Sequence, residues 1–234
     1  MKRKLLILTS IILSIILIFC ALFVFIKVIP DAKKQKEWQR QVEAYRTAKI
    51  NQYKQENLKY QDYEVDVAFL GDSLTDGYDV AKYYPQYLVA NRGIGGDTTF
   101  DLEKRLKVSA YDLKPKVLTM LIGANNFATM FDNYENILIG IKENLPNTKV
   151  VLLSLTSMGG EHWGKNNQKA CYNNVKIKLL AEKYGFTFVD LYTPLFDLSI
   201  GEIKPEYTTD GGHLTAKGYE ILTATITPTL EQLL

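Results

Sequence analysis

Val65-Asp66-Val67-Ala68-Phe69-Leu70-Gly71-Asp72-Ser73-Leu74 is the stretch whose reading decides the fold. Val65 to Leu70 is a short apolar run that reads as a buried strand, and Gly71-Asp72-Ser73 breaks it with turn and cap residues. The pattern recurs along the chain. Strands are predicted at about 65–70, 87–91, 116–122, 149–155 and 186–190, with helices near 97–107, 131–145, 166–184 and 215–233. Strands alternating with helices imply a parallel sheet covered on both faces. Five strands suggest a flavodoxin-like, doubly wound α/β fold, in which ligands bind outside the carboxyl ends of the strands.

Chemistry-bearing residues fall at those ends. Ser73 follows the first strand, and a serine hydroxyl needs a base within hydrogen-bond reach and an acceptor that orients the base. Asp210-Gly211-Gly212-His213 supplies both types three residues apart, with two glycines to allow the turn. The chain has 2 histidines, so the choice of base is narrow. His162 lies in Met158-Gly159-Gly160-Glu161-His162-Trp163 and reads as a rim or surface residue. Asp72 reads as a structural cap, and Ser73 alone could also be a helix N-cap. The turn is not a Gly-x-Ser-x-Gly elbow, because Thr75 takes the last glycine position.

Two further loops complete the set. Asn91-Arg92-Gly93-Ile94-Gly95-Gly96-Asp97 follows the second strand, and Gly123-Ala124-Asn125-Asn126 follows the third. The four segments together resemble the SGNH hydrolase family, the GDSL esterases, over residues 64–234. Their wording is similar to the branch that includes platelet-activating-factor acetylhydrolase-type esterases. The resemblance implies that Ser73 is the nucleophile, His213 the general base and Asp210 its orienting acid. It also implies an oxyanion hole of the Ser73 N–H, the Gly96 N–H and the Asn125 side chain. Asn126 is a fallback donor, and Asn91 is expected to brace its loop. Gly95-Gly96 also reads as a tight turn before a helix capped by Asp97, which is compatible with that role. Tyr78, Tyr83, Tyr84, Phe127 and Trp163 fall in loops near the same edge and read equally as pocket lining or as packing.

Composition bounds the rest. Leu5 to Ile26 is a run of 22 residues without a charge, preceded by Lys2-Arg3-Lys4. At about 1.5 Å per residue such a helix is long enough for a bilayer core, and no Ala-x-Ala-like cleavage site follows it. The expected organisation is a membrane anchor at 1–30, a charged helical stalk at 31–60 and the hydrolase domain at 61–234. Membrane contact is expected through residues 5–29. Trp38, Val42 and Tyr45 at i, i+4, i+7 support the helical stalk. Basic residues flank both sides of the apolar run, so the charge rule nearly cancels. The resemblance favours a single-pass protein of the cell membrane with its domain outside.

Residues 1–59 hold 12 basic and 4 acidic side chains, net +8; residues 60–234 hold 16 and 22, net −6. The basic arm suits anionic lipid head groups, and the acidic domain gives no reason to expect nucleic acid. Cys20 and Cys171 are not expected to meet, and their spacing suggests neither a disulfide framework nor a metal site. No cofactor is expected.

The expected activity is a membrane-anchored serine esterase or acylhydrolase working through an acyl-enzyme. Expected substrates are short-chain, acetyl-like esters of an envelope glycan, or lysophospholipids. Two alternatives stay open: an O-acyltransferase that passes the acyl group to a sugar hydroxyl, and a non-catalytic envelope binding module.

Overall fold

A computed structural model describes residues 9, 13, 16, 17, 19 and 22–234. Two compact units divide the chain, Met1–Ala48 and Lys49–Leu234. The first holds a π-helical turn at Val24–Val28 followed by the start of a long helix, α1 (Ile29–Asn57). Most of the apolar stretch 5–26 expected as the anchor lies outside the described residues, as does Cys20. Among the described residues, no helix is long and apolar enough to cross a membrane.

The second unit is a three-layer α/β body. Its sheet contains β1 (Val67–Gly71), β2 (Val89–Gly93), β3 (Val117–Leu121), β4 (Lys149–Leu153) and β5 (Thr187–Val189). The spatial order is β2-β1-β3-β4-β5, and every pair is parallel. That is the flavodoxin-like order expected from the strand–helix alternation, with the switch in winding direction beside β1. After the single helical turn α2 (Ser73–Asp76), the longer helices are α3 (Thr99–Leu106), α4 (Tyr134–Asn144), α5 (Asn167–Tyr184) and α6 (Ala216–Leu233). Phe196–Asp197 and Glu202–Ile203 form a small antiparallel pair that the strand pattern had not indicated.

β1 and β3 are buried along their whole length, which explains why they read as continuous apolar runs. Their side chains join those of Ile137, Leu138, Ile141, Ile177, Leu222 and Ile226 from α4, α5 and α6 in one core. β2 runs two residues beyond its expected end, through Arg92 and Gly93. Arg92 is fully buried there because Glu56 Oε2 (2.5 Å) and Asn57 Oδ1 (3.0 Å) take its guanidinium. A buried arginine needs such partners, and these are supplied by α1.

The last turns of α1 therefore belong to the compact unit that carries the sheet. Tyr53 is 1% exposed, and with Ile94, Val108 and Ile50 it forms a second, smaller cluster.

Candidate active site

Gly71 of β1 lies in register with Gly93 of β2 on one side and with Leu121 of β3 on the other. Three loops thus leave the sheet from one row, carrying Ser73, Gly96 and Asn125. The two glycines of the row must stay without side chains where the loops cross. A Cβ on Gly93 would lie 2.2 Å from the Asp76 backbone nitrogen, and one on Gly71 would lie 2.4 Å from the Leu121 carbonyl oxygen.

Asp72 caps α2 by accepting from the Leu74 N–H at 3.2 Å, so the cap role belongs to Asp72 and Ser73 is the first helical residue. Ser73 Oγ is 3.0 Å from His213 Nε2. His213 Nδ1 is 2.8 Å from Asp210 Oδ2. A carboxylate facing Nδ1 favours the tautomer with its proton there, which leaves the Nε2 lone pair toward the serine. The other carboxylate oxygen, Oδ1, accepts from the backbone N–H groups of His213 (2.7 Å) and Gly212 (2.9 Å). Partial burial works to raise the Asp210 pKa. The N–H of His213, its ring and the N–H of Gly212 outweigh that and hold the carboxyl well below the usual range. Asp210 stays ionised throughout the neutral range, and its contribution to stability is lost only under strongly acidic conditions.

The 208–214 loop is closed by an antiparallel bridge between Thr208 and Leu214, with Thr208 Oγ1 donating to the His213 carbonyl at 2.7 Å. Gly211 has φ +89°, and a Cβ there would meet the Gly159 carbonyl oxygen at 1.9 Å. The loop thus packs directly on the segment after β4. Trp163 from that segment stands edge-on to His213, with ring centres 5.8 Å apart and planes at 90°. His162 is exposed and stacks its edge on Trp163; it takes no part in the Ser73 contact.

Gly96 is exposed at φ +79°, a conformation that suits glycine. Asn125 Nδ2 donates to the Asp97 carbonyl at 2.9 Å, which ties the third loop to the second. An amide nitrogen carries two protons, so one is left for a ligand. Asn126 is committed elsewhere: its side chain bonds the backbone N–H and the hydroxyl of Thr99. Asn91 braces its loop as expected, donating to the carbonyls of Thr75 and Tyr78 and accepting from the Gly93 N–H.

One expectation needs correction, and one open alternative resolves. Asp97 does not cap α3. Thr98 does, in a reciprocal capping box with Asp101. Asp97 is buried and paired with Arg105 at 2.6 Å. The aromatics divide as well. Tyr78 and Tyr84 are core residues whose hydroxyls bond each other at 3.0 Å, and burial pushes the Tyr84 phenol up to about 12. Among the five aromatics, Trp163 makes ring contact with His213.

Sequence reasoning missed Arg105. Its guanidinium bonds the carbonyls of Gly71 (2.8 Å) and Arg92 (2.9 Å), the Ser109 hydroxyl and the Asp97 carboxylate. One side chain thereby holds the roots of both the serine loop and the glycine loop. Arg105 falls on the expected helix 97–107, where a basic residue reads as solvated; only its tertiary partners reveal it. Among the described residues, no group of His, Cys, Asp and Glu could hold a metal ion.

Asp72 carries a further anomaly. Its Oδ2 is buried without a hydrogen-bond partner. Burial, with the Asp97 charge, raises the carboxyl to about 7 against the Leu74 N–H, His213 and Arg105. A carboxyl whose folded pKa lies above its unfolded value of about 3.9 destabilises the fold as pH rises from about 4 to about 7. Asp72→Asn is therefore expected to raise Tm at pH ~8, by at most about 4 kcal/mol of stability, with the gain vanishing near pH ~4. Thermal unfolding of both proteins across that range checks it; an equal difference at both ends would refute a titrating Asp72.

Residues 69–221 match the model of the GDSL-like lipase/acylhydrolase family. No curated protein matches the chain. Solved structures do. A GDSL-like lipase from Bacteroides thetaiotaomicron is 26% identical with a TM-score of 0.70, covering 79% of this chain and 98% of that one. A Streptococcus pneumoniae chain, provisionally described as a platelet activating factor, is 25% identical with a TM-score of 0.69, covering 85% and 99%. A catalytic variant of an acetylxylan esterase from Geobacillus stearothermophilus shares the fold at 20% identity and a TM-score of 0.59, covering 73% and 95%.

Proposed function

Because the chain belongs to the GDSL-like lipase/acylhydrolase family, a group of carboxylic-ester hydrolases, we propose that it cleaves esters through an acyl-enzyme on Ser73. The observation that carries this reading is the unbroken chain of contacts from Ser73 Oγ through the His213 ring to Asp210.

Ser73 Oγ attacks the ester carbonyl while His213 Nε2 takes its proton. Asp210 holds the ring and stabilises the imidazolium that forms. Negative charge develops on the carbonyl oxygen, where the N–H groups of Ser73 and Gly96 and the Asn125 amide receive it. Each such donor is worth roughly 2.7–4 kcal/mol. His213 then protonates the departing alkoxide. Water, deprotonated by the same nitrogen, releases the acid and restores the serine.

The site is open. The His213 and Asp210 side chains are 43% and 48% exposed, with Trp163 at the rim. That openness supports a short, acetyl-like acyl group on a bulky alcohol such as an envelope glycan. A lysophospholipid, or transfer of the acyl group to a sugar hydroxyl, would use the same residues. The uncharged run Leu5–Ile26 supports a single-pass membrane anchor. Basic residues flank it on both sides, so the placement of the catalytic domain outside the cell rests on the family resemblance.

Treatment of the full chain with a dialkyl phosphoryl ester such as paraoxon is the test. The expected result is one phosphoryl group on Ser73, read by peptide mass spectrometry, with p-nitrophenyl acetate hydrolysis lost in proportion. Label on another residue, or hydrolysis that survives labelling, refutes the nucleophile. Acetate ester turned over faster than octanoate ester supports the short-chain reading, and the reverse order overturns it.

A further inference from the structure

The peptide that offers the Gly96 N–H has little to hold it in place. Gly95 and Gly96 bring no side chains, and a Cβ on Gly96 would touch nothing within 4 Å. Unrestrained backbone loses on the order of 1–2 kcal/mol per residue on being fixed. A donor group is useful only if it is already aimed where charge develops. The aim of this loop must come from its neighbours.

Those neighbours converge on one stripe of α1. Lys49, Ile50, Tyr53, Glu56 and Asn57 stand at i, i+1, i+4, i+7 and i+8, a single helical face. Lys49 Nζ pairs with Asp76 Oδ1 at 2.6 Å, and both side chains are mostly buried. The other oxygen, Asp76 Oδ2, accepts from the Gly95 N–H at 2.9 Å. Asp76 is the last residue of α2, the turn that begins at Ser73. A lysine on α1 therefore fixes a carboxylate that bridges the nucleophile turn to the glycine loop.

A second tie lies one helical turn further on. The Tyr53 hydroxyl donates to the Gly93 carbonyl at 2.5 Å, and its ring lies under the Arg92 guanidinium at 4.7 Å. Ile94, the residue between these bonded groups, is fully buried in the small cluster that Tyr53 completes.

We propose that residues 49–57 of α1 are part of the catalytic apparatus, with Lys49 and Tyr53 acting as positioning residues for the oxyanion loop. This deepens the esterase reading and rests on it. Neither residue touches the reacting atoms; both act through Asp76, Gly93 and Gly95.

The test compares the full chain with Lys49→Met, Tyr53→Phe, the double variant, Lys49→Arg and Ser73→Ala. Steady-state hydrolysis of p-nitrophenyl acetate is measured together with inhibition by benzeneboronic acid. The boronate binds the serine as a tetrahedral adduct and so reports on the oxyanion site. Misplacement of a reacting geometry by about 1 Å costs up to about 100-fold. We expect kcat to fall about tenfold in each single variant, with KM within about twofold and Ki rising in parallel with the loss in kcat. Lys49→Arg should keep most of the activity. Tyr53→Phe retains the buried ring, so a lost fold is not the expected cause, and thermal unfolding checks this. A double variant with kcat within about twofold of wild type overturns the positioning role, as does a fall in kcat with unchanged Ki. Turnover that survives Ser73→Ala overturns the esterase reading itself, which separates the two failures.

Discussion

Replacing Ser73 by alanine is expected to lower kcat for ester hydrolysis by about 10⁴-fold or more, with KM nearly unchanged. The hydroxyl at 3.0 Å from His213 Nε2 is the nucleophile of the proposed reaction. His213→Ala should be similarly severe, because an unassisted serine is a poor nucleophile at neutral pH. The double variant is expected to be hardly worse than either single one. Residues that act as a unit do not contribute additively. Residual turnover would come from binding and the oxyanion donors. Single-turnover kinetics of the three proteins on one acetyl ester decide the matter. Two independent, multiplying losses would mean that Ser73 and His213 do not work together.

Arg105→Met is the second large effect, and it is a loss of stability. Arg105 is 2% exposed, and it faces Asp97 at 0% exposed. Removing one partner of a buried ion pair strands the other charge and costs about 3–5 kcal/mol. Domains of this kind have about 5–15 kcal/mol in all. The carbonyls of Gly71 and Arg92 lose a donor as well. The variant is expected to unfold at much lower denaturant concentration. Pairing it with Asp97→Asn should restore part of the loss by removing the stranded charge. Urea unfolding of the single and double variants measures this. A single variant within about 1 kcal/mol of wild type would refute the central role given to Arg105.

The contrast between Ser73 and Arg105 shows what the sequence could carry. Ser73, Asp210 and His213 are legible as a candidate set because their chemistry is a matter of residue type, and because Ser73 follows a strand while Asp210 and His213 lie just before a helix. The parallel sheet is legible because β1 and β3 are apolar on both faces. Arg105 is illegible because nothing local marks it as buried. Its partners are backbone carbonyls 13 and 34 residues away. Asp97 misled for a related reason. An aspartate before a helix reads as a cap, but Thr98 one residue later takes the cap, and Asp97 pairs with the arginine. The end of β2 was hidden because Arg92 looks like a loop residue until Glu56 and Asn57 are brought to it. The inner stripe of α1 is lysine, tyrosine, glutamate and asparagine, with Ile50 its one aliphatic residue. It carries no apolar periodicity and so reads as a solvated stalk. In each case polar side chains make the long-range contact, and hydrophobic pattern says nothing about them.

The contact between Ser73 and His213 joins positions 140 residues apart. During synthesis, at about 5–20 residues per second, the base follows the nucleophile by roughly 7–28 s. It then becomes useful only after the 208–214 loop has closed against the segment behind β4. Through that interval the serine is an ordinary alcohol. The chain can be made, and passed through any machinery that handles it unfolded, without attacking the esters around it. On the proposed mechanism, hydrolytic competence arrives only with completion of the fold.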